Sequence, residues 1–206
     1  MAGATPGTSG LGPTLATDRL ILRRFRDSDR EPFARLNGDP EVMSQFPRPL
    51  TRDESHALVD RIVARFDERG YGLWAVERRE DGIFLGFTGL AYQTFEAPFT
   101  PCVEVGWRLD RFAWGHGYAT EAAREALKFG FEVACLEEIV SFTATTNAGS
   151  RRVMEKIGLH HDPANDFDNP SFSTGHPLRR HVLYRLSREE FRGQSTTPAR
   201  GGRPGS

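Results

Sequence analysis

Cysteine is scarce in this chain of 206 residues, which holds two. Cys102 and Cys135 make neither a disulfide framework nor a metal-ligand spacing, so a reducing cytoplasm is the expected compartment. Both thiols are expected to fill core space. Long apolar runs are absent too: none approaches the roughly 20 residues a membrane helix needs, so no membrane partner is expected. Met1 to Thr17 has no basic n-region and no apolar h-region; it reads as a flexible leader rather than a signal peptide. Charge of one sign is also missing. The 27 basic and 28 acidic residues leave a net charge of −1, which excludes a broad nucleic-acid footprint. No internal repeat and no linker interrupts residues 18–192, so that span is expected to be a single domain. Gly193 to Ser206 is rich in Gly, Pro, Thr and Arg and is expected to be disordered.

What is present is a regular succession of elements. Arg19 to Phe25 sets Leu20 and Leu22 against Arg19 and Arg23, the alternation of a half-exposed strand. Ser28-Asp29-Arg30-Glu31 and Thr51-Arg52-Asp53-Glu54 both read as capping boxes opening helices. The second helix shows Leu58, Ile62 (or Val59, Val63) and Phe66 on one face and stops at Gly70. Gly72 to Arg79 and Gly82 to Gln93 read as strands joined through Asp81-Gly82, a hairpin signal. Cys102 to Leu109 is a strand, Gly117 to Ala134 a helix, Glu138 to Thr145 a strand, Asn147 to Ile157 a helix and His181 to Leu186 a last strand. Antiparallel strands followed by a βαβ crossover predict a mixed sheet with helices packed on it.

The stretch from Trp107 to Ala122 is the most informative. A strand runs into a glycine-spaced turn and then directly into an alanine-rich helix, the arrangement of an anion site built from backbone N–H groups. A dinucleotide fingerprint would need a glycine where Thr120 stands and an acidic residue ending the next strand, whereas Glu137 and Glu138 precede that strand. A P-loop would need Gly-Lys-Ser/Thr, which His116-Gly117-Tyr118 is not.

Trp114-Gly115-His116-Gly117-Tyr118-Ala119 resembles the acyl-CoA signature Gln/Arg-x-x-Gly-x-Gly/Ala of the GNAT acetyltransferases, in the longer form Trp-Gly-x-Gly-Tyr-Ala-Thr-Glu-Ala of the RimJ/RimL-like branch. Trp114 stands where Gln or Arg is usual. Asn147 to Leu159 is similar to the same family's Asn-x-x-Ser-x-x-x-x-Glu-Lys-x-Gly-Phe helix, and Thr17 to Arg23 to its first strand. The resemblance spans about residues 17–190. It implies an α/β fold of the α+β type, a central mixed sheet of six to seven strands flanked by helices. It implies acetyl-CoA as co-substrate, no metal, and direct acetyl transfer in a ternary complex to a primary amine, either a protein N-terminus or a small molecule. The alternative is a non-catalytic acyl-CoA-binding module of the same fold. Homodimers are common in the branch.

On this reading Gly115, His116, Gly117, Tyr118, Ala119 and Thr120, with Trp114, cradle the pyrophosphate, the two glycines letting backbone approach it without a Cβ in the way. Trp107, Arg108 and Leu109 form the strand end that pairs with the pantetheine arm. Asn147 is both an N-cap and the family's amide contact to that arm, and Ser150 lies in the same first turn. Glu104, in an apolar run of the same strand, is the candidate general base acting through water, since burial raises a carboxylate toward neutrality. An outward-facing glutamate on a half-exposed strand fits the pattern equally well. Tyr184 matches the family position of the tyrosine that protonates the departing sulfur; a core aromatic is the other reading. Arg151 and Arg152 suit either a 3′-phosphate or a solvated helix face. His160, His161, His176 and His181 lie near Asp162, Asp166 and Asp168 but match no metal spacing. Acceptor recognition is implied for Asn37 to Leu50 and Asp162 to Arg180. There Phe46, Pro47 and Pro49 are candidates to wall a pocket, Phe167 and Phe172 to close it, and the acidic loop Asn165 to Pro170 to attract a cationic amine.

Overall fold

A computed structural model describes residues 13–196, and the first twelve and last ten residues lie outside it. The strands are β1 Leu15–Ala16, β2 Leu20–Arg23, β3 Leu73–Arg78, β4 Phe84–Gln93, β5 Cys102–Leu109, β6 Glu138–Ala144, β7 His160–His161, β8 Phe167–Asp168 and β9 Arg180–Ser187. The helices are α1 Arg30–Gly38, α2 Arg52–Arg69, α3 Tyr118–Glu132, α4 Ala148–Lys156 and α5 Arg188–Thr196. The sheet runs β1-β2-β3-β4-β5-β6-β9-β7, with β8 on β9. This is the expected mixed sheet flanked by helices, with nine strands rather than six to seven. The additional strands β1, β7 and β8 are two-residue pieces, too short to carry an alternation that a sequence could display.

The sheet is two well-paired halves joined at one weak seam. β4 and β5 pair along their length from Gly86↔Leu109 to Gln93↔Cys102, and β6 and β9 from Glu138↔Ser187 to Ala144↔His181. The parallel pair β5–β6 keeps register only at Glu104↔Val140. Beyond Glu104 the two strands part, and the β6-facing edge of Gly106–Leu109 carries no ladder pairing.

Alternation along β5 divides its side chains between two cores. Val103, Val105 and Leu109 face the larger core, where Ala122, Ala123 and Ala126 of α3 are fully buried and let that helix lie close on the sheet. Glu104, Gly106 and Arg108 take the opposite face. There α1 and α2 pack Phe33, Leu36, Val59 and Ile62 on Ala75 and Phe87. Farther along the same face, Phe95, Phe99, Phe142 and Phe167 gather around Val140 and Leu183. The α2 stripe is thus Val59, Ile62 and Phe66, with Leu58 and Val63 at its margins.

Thr51 caps α2 as expected, accepting from the Glu54 N–H, while the Glu54 carboxylate accepts from the Thr51 N–H at 2.8 Å. The first capping box does not form. Asp29 is 2% exposed and its carboxylate is used instead by Arg23, at 2.7 and 2.8 Å, and by the Arg26 N–H at 2.7 Å. That carboxylate serves the local Arg26 N–H and the distant Arg23 guanidinium together, while Glu31, the other end of the expected box, pairs with Arg52. The boundaries of the domain also move outward. Leu15 and Ala16 pair with β2, and the Pro13 carbonyl accepts from the Trp74 indole at 2.9 Å, so the end of the expected leader is tied down. At the other end, α5 carries order through the start of the expected tail. Phe191 stacks on Phe131 at 4.8 Å, and the Gln194 amide donates to the Gly158 carbonyl at 3.0 Å. The rest of both expected segments lies outside the described residues.

Candidate active site

The parting of β5 from β6 is continued by the glycine turn. Gly115 and Gly117 have φ of +79° and +80°, a left-handed conformation that a side chain would strain. Gly117 opens α3 without any side-chain cap. Among the described residues, no group accepts from the backbone N–H of any residue from Gly115 to Thr120; the ladder resumes with Glu121 donating to the Gly117 carbonyl at 3.1 Å. Six consecutive donors at a helix N-terminus are therefore open to an anion.

Two braces hold the turn. Trp114, 45% exposed, donates its indole N–H to the Leu109 carbonyl at 2.8 Å and so pins the turn to the end of β5. Arg19 donates to the His116 carbonyl at 3.0 Å and to Glu121 at 2.7 Å, and its guanidinium lies 4.7 Å over the Tyr118 ring. Thr17 adds a bond to Glu121 at 2.5 Å. Tyr118 is buried and stacks with the exposed His116 ring at 5.5 Å. The brace joins residues about a hundred positions apart, so local motifs do not reveal it, although Arg19 and Glu121 both lie in the blocks that carry the resemblance. Beside it, a cleft of about 960 Å³ runs between α3 and α4, lined by Arg19, Gly117, Thr120, Arg124, Lys128 and Lys156 among others.

On the β6 side, Asn147 caps α4. Its carbonyl oxygen accepts from the Ser150 N–H at 3.1 Å, and its amide donates to Thr143 at 2.9 Å and to the Ser150 hydroxyl at 3.2 Å. Both donors are thus committed within the protein. Trp107 is half-buried against the α3-side core. Tyr184 is 1% exposed, stacked on His161 at 5.0 Å, and donates its phenolic proton to Glu155 at 3.0 Å. Burial raises its pKa. A departing sulfur would have to compete with Glu155 for that proton, which departs from the simple acid role the resemblance implies. Arg151 reaches the Tyr184 oxygen at 3.4 Å and the Thr145 carbonyl at 3.2 Å, and Arg152 bonds its own helix at Ala148.

The opposite face carries a different chemistry. Glu104 accepts from the Gln93 amide at 2.5 Å, and burial pushes its carboxyl up to about 7 against the pull of that hydrogen bond. Arg108 donates to the Asn37 side-chain carbonyl at 2.5 Å and lies 4.0 Å from the centre of the Phe46 ring, with Phe87 at 5.4 Å. Burial alone pushes Arg108 down to about 10. Asn37 and Gln93, the partners of these two groups, come from other elements and are seen only once the sheet is assembled.

The carboxylates of the acidic loop are all engaged within the protein. Asp166 pairs with His161 at 2.7 Å, Asp168 with Arg179 at 3.1 Å, and Asp162 accepts from the Ala164 N–H at 2.9 Å. Phe167 and Phe172 are packed walls, the latter against His176 at 4.9 Å, rather than mobile closures. Cys135 does not fill the core. It is exposed, at φ +55° where the chain reverses after α3, whereas Cys102 packs beside the aromatic cluster.

Residues 19–160 match the family model described as acetyltransferase (GNAT) domain. The chain is 36% identical over 190 residues to the FsC-acetyl coenzyme A-N(2)-transacetylase of Aspergillus fumigatus, covering 87% of this chain and 78% of that protein. It is 35% identical over 150 residues to the uncharacterized protein YkkB of Bacillus subtilis, covering 71% and 85%. A solved acetyltransferase of the GNAT family from Bacillus anthracis shares the fold, with a TM-score of 0.72 at 24% identity over 86% of this chain and 99% of that one. The family match begins beside β2 and ends in β7, and so takes in both lips of the opened sheet and the turn that continues it. On that ground the chain belongs to the GNAT acetyltransferases.

Proposed function

We propose that this protein transfers acetyl from acetyl-CoA directly to a primary amine, with the two substrates meeting where β5 leaves β6. The observation that carries this reading is the run of unpartnered N–H groups from Gly115 to Thr120, set at the end of a strand whose free edge faces the same opening. Those donors and the α3 dipole suit the pyrophosphate. The edge of Trp107 to Leu109 offers backbone partners to the pantetheine arm and an N–H for the thioester oxygen. Ser150, whose hydroxyl proton is not used by Asn147, and Asn147 form the other lip. The name of the Aspergillus fumigatus relative, with its acetyl coenzyme A donor and nitrogen acceptor, agrees with the assignment.

Glu104 is the base in this reading. The amine approaches from the α1–α2 side of the sheet, and a carboxylate held near 7 and oriented by Gln93 accepts its proton through a water. The motif blocks at Trp114–Ala122 and Asn147–Leu159 favour the RimJ/RimL-like branch. The test is a screen of primary amines and N-terminal peptides with acetyl-CoA, followed by release of free thiol. Acceptor-dependent thiol release that disappears in Gly117→Glu is the expected result. Thiol release that no amine stimulates would contradict the reading.

A further inference from the structure

Resting on that reading, we propose that Arg108 is the specificity residue for the acceptor, and that the acceptor carries a carboxylate close to its reacting amine.

A guanidinium offers five N–H donors. Arg108 uses one, toward the neutral amide of Asn37. Its Nε is enclosed without any acceptor, and among the described residues no carboxylate stands within ion-pairing distance of it. The carboxylates nearby are committed elsewhere: Glu41 and Asp39 to Arg111, at 2.9 and 3.7 Å, and Glu104 to Gln93. A half-buried cation with an enclosed, unpartnered Nε and no counter-charge is costly, and an apolar side chain of similar volume would usually serve packing better. The surroundings hold the cation in place all the same. Asn37 is fully buried and fixed by its own bond to Ser55 at 2.8 Å, and Phe46 covers the face of the guanidinium. The loop bearing Phe46 reaches across to the β6–α4 turn, where Thr146 meets Gln45 at 3.5 Å. The cation is therefore preorganised beneath the segment that spans the opening.

The placement along β5 sets the kind of anion. Glu104, Gly106 and Arg108 share one face, and the Glu104 carboxylate leans over Gly106, where a Cβ would lie 3.8 Å from its Oε1. Gly106 leaves the floor bare between base and cation. An amine over Gly106 has Arg108 one strand repeat away, roughly 7 Å. That spacing fits an amino acid with its own carboxylate, or a peptide N-terminus followed by an acidic side chain, with the carboxylate taken by the free donors of Arg108.

The experiment compares matched pairs with acetyl-CoA: amino acids against their carboxamides, and N-terminal peptides with Glu against Gln at the second position. The carboxylate member of at least one pair should win by about 10- to 100-fold in kcat/KM, mostly through KM, the range for a hydrogen bond to a charged group. In Arg108→Gln that ratio should fall to about 1, and Arg108→Lys should keep part of it. The melting shift produced by acetyl-CoA in each variant reports that the fold and the donor site are intact. A wild-type ratio near 1 in both pairs, or a preference that survives Arg108→Gln, overturns the proposal. Failure of every pair to turn over, with the acetyl-CoA shift intact, overturns the amine-acceptor reading and the role of Arg108 with it.

Discussion

Glu104 is the residue whose ionisation decides most. With its carboxyl pushed up to about 7, kcat/KM should rise with pH along a limb centred near 7, and Glu104→Gln should remove that limb and lower the plateau by 10²–10⁴-fold. The same shift has a stability consequence of definite sign. The folded value lies above the ordinary 4.5, so the contribution is fully present below about 4.5 and is lost as pH rises through about 7. Thermal melts should therefore show Glu104→Gln gaining on the wild type above pH 7 and not at pH 5. Tyr184 makes the opposite case. Because its proton is given to Glu155, Tyr184→Phe should lower the melting temperature through a lost buried hydrogen bond, about 1–2 kcal/mol, while kcat changes by less than about threefold. A hundredfold fall in kcat would instead support the acid role. Glu104 was legible as a candidate because it interrupts an apolar strand. Its orientation by Gln93, and the cation at Arg108 held by Asn37, were not, since each partner lies on another element.

Among the elements long enough to show a period, all but α5 were legible within a few residues, and β5 matched at both ends, Cys102 to Leu109. The opening between β5 and β6 was implied by the family resemblance but is visible only in the pairing, because register belongs to two strands at once. At the start of α1 one carboxylate, Asp29, meets a local backbone N–H and a distant guanidinium at once. Arg23 of β2 is buried between Asp29 at 2.7 Å and Glu77 of β3 at 2.7 Å, so this network joins the first sheet edge to the helix that carries Asn37. Asp29→Ala would leave a buried guanidinium short of a partner and should destabilise by roughly 3–5 kcal/mol in a denaturant melt. Loss below 1 kcal/mol would mean that Arg23 repairs itself through Glu77 alone.

For the molecule as a whole, the sheet acts as a partition with one gap. The glycine turn and α3–α4 cleft lie on one side, and Glu104 and Arg108 face the other. The direct transfer proposed above suits that arrangement, with each substrate held by a separate surface and the reacting atoms brought together at the gap. The donor side was readable because it is compressed into one contiguous motif. The proposed acceptor side is assembled from α1, the α1–α2 loop, β4 and β5, and Arg108, its unpaired cation, looks in sequence like any strand-end arginine. The most direct test of this account is the melting temperature with and without saturating acetyl-CoA, in the wild type and in Gly117→Glu. At 100 times its dissociation constant, a ligand stabilises by about 2.7 kcal/mol, or roughly 5–10 °C for a chain of this size. That shift is expected in the wild type and none in the variant, where a carboxylate and a strained φ of +80° occupy the turn. A wild type that acetyl-CoA leaves unmoved, or a variant that shifts equally, would contradict it.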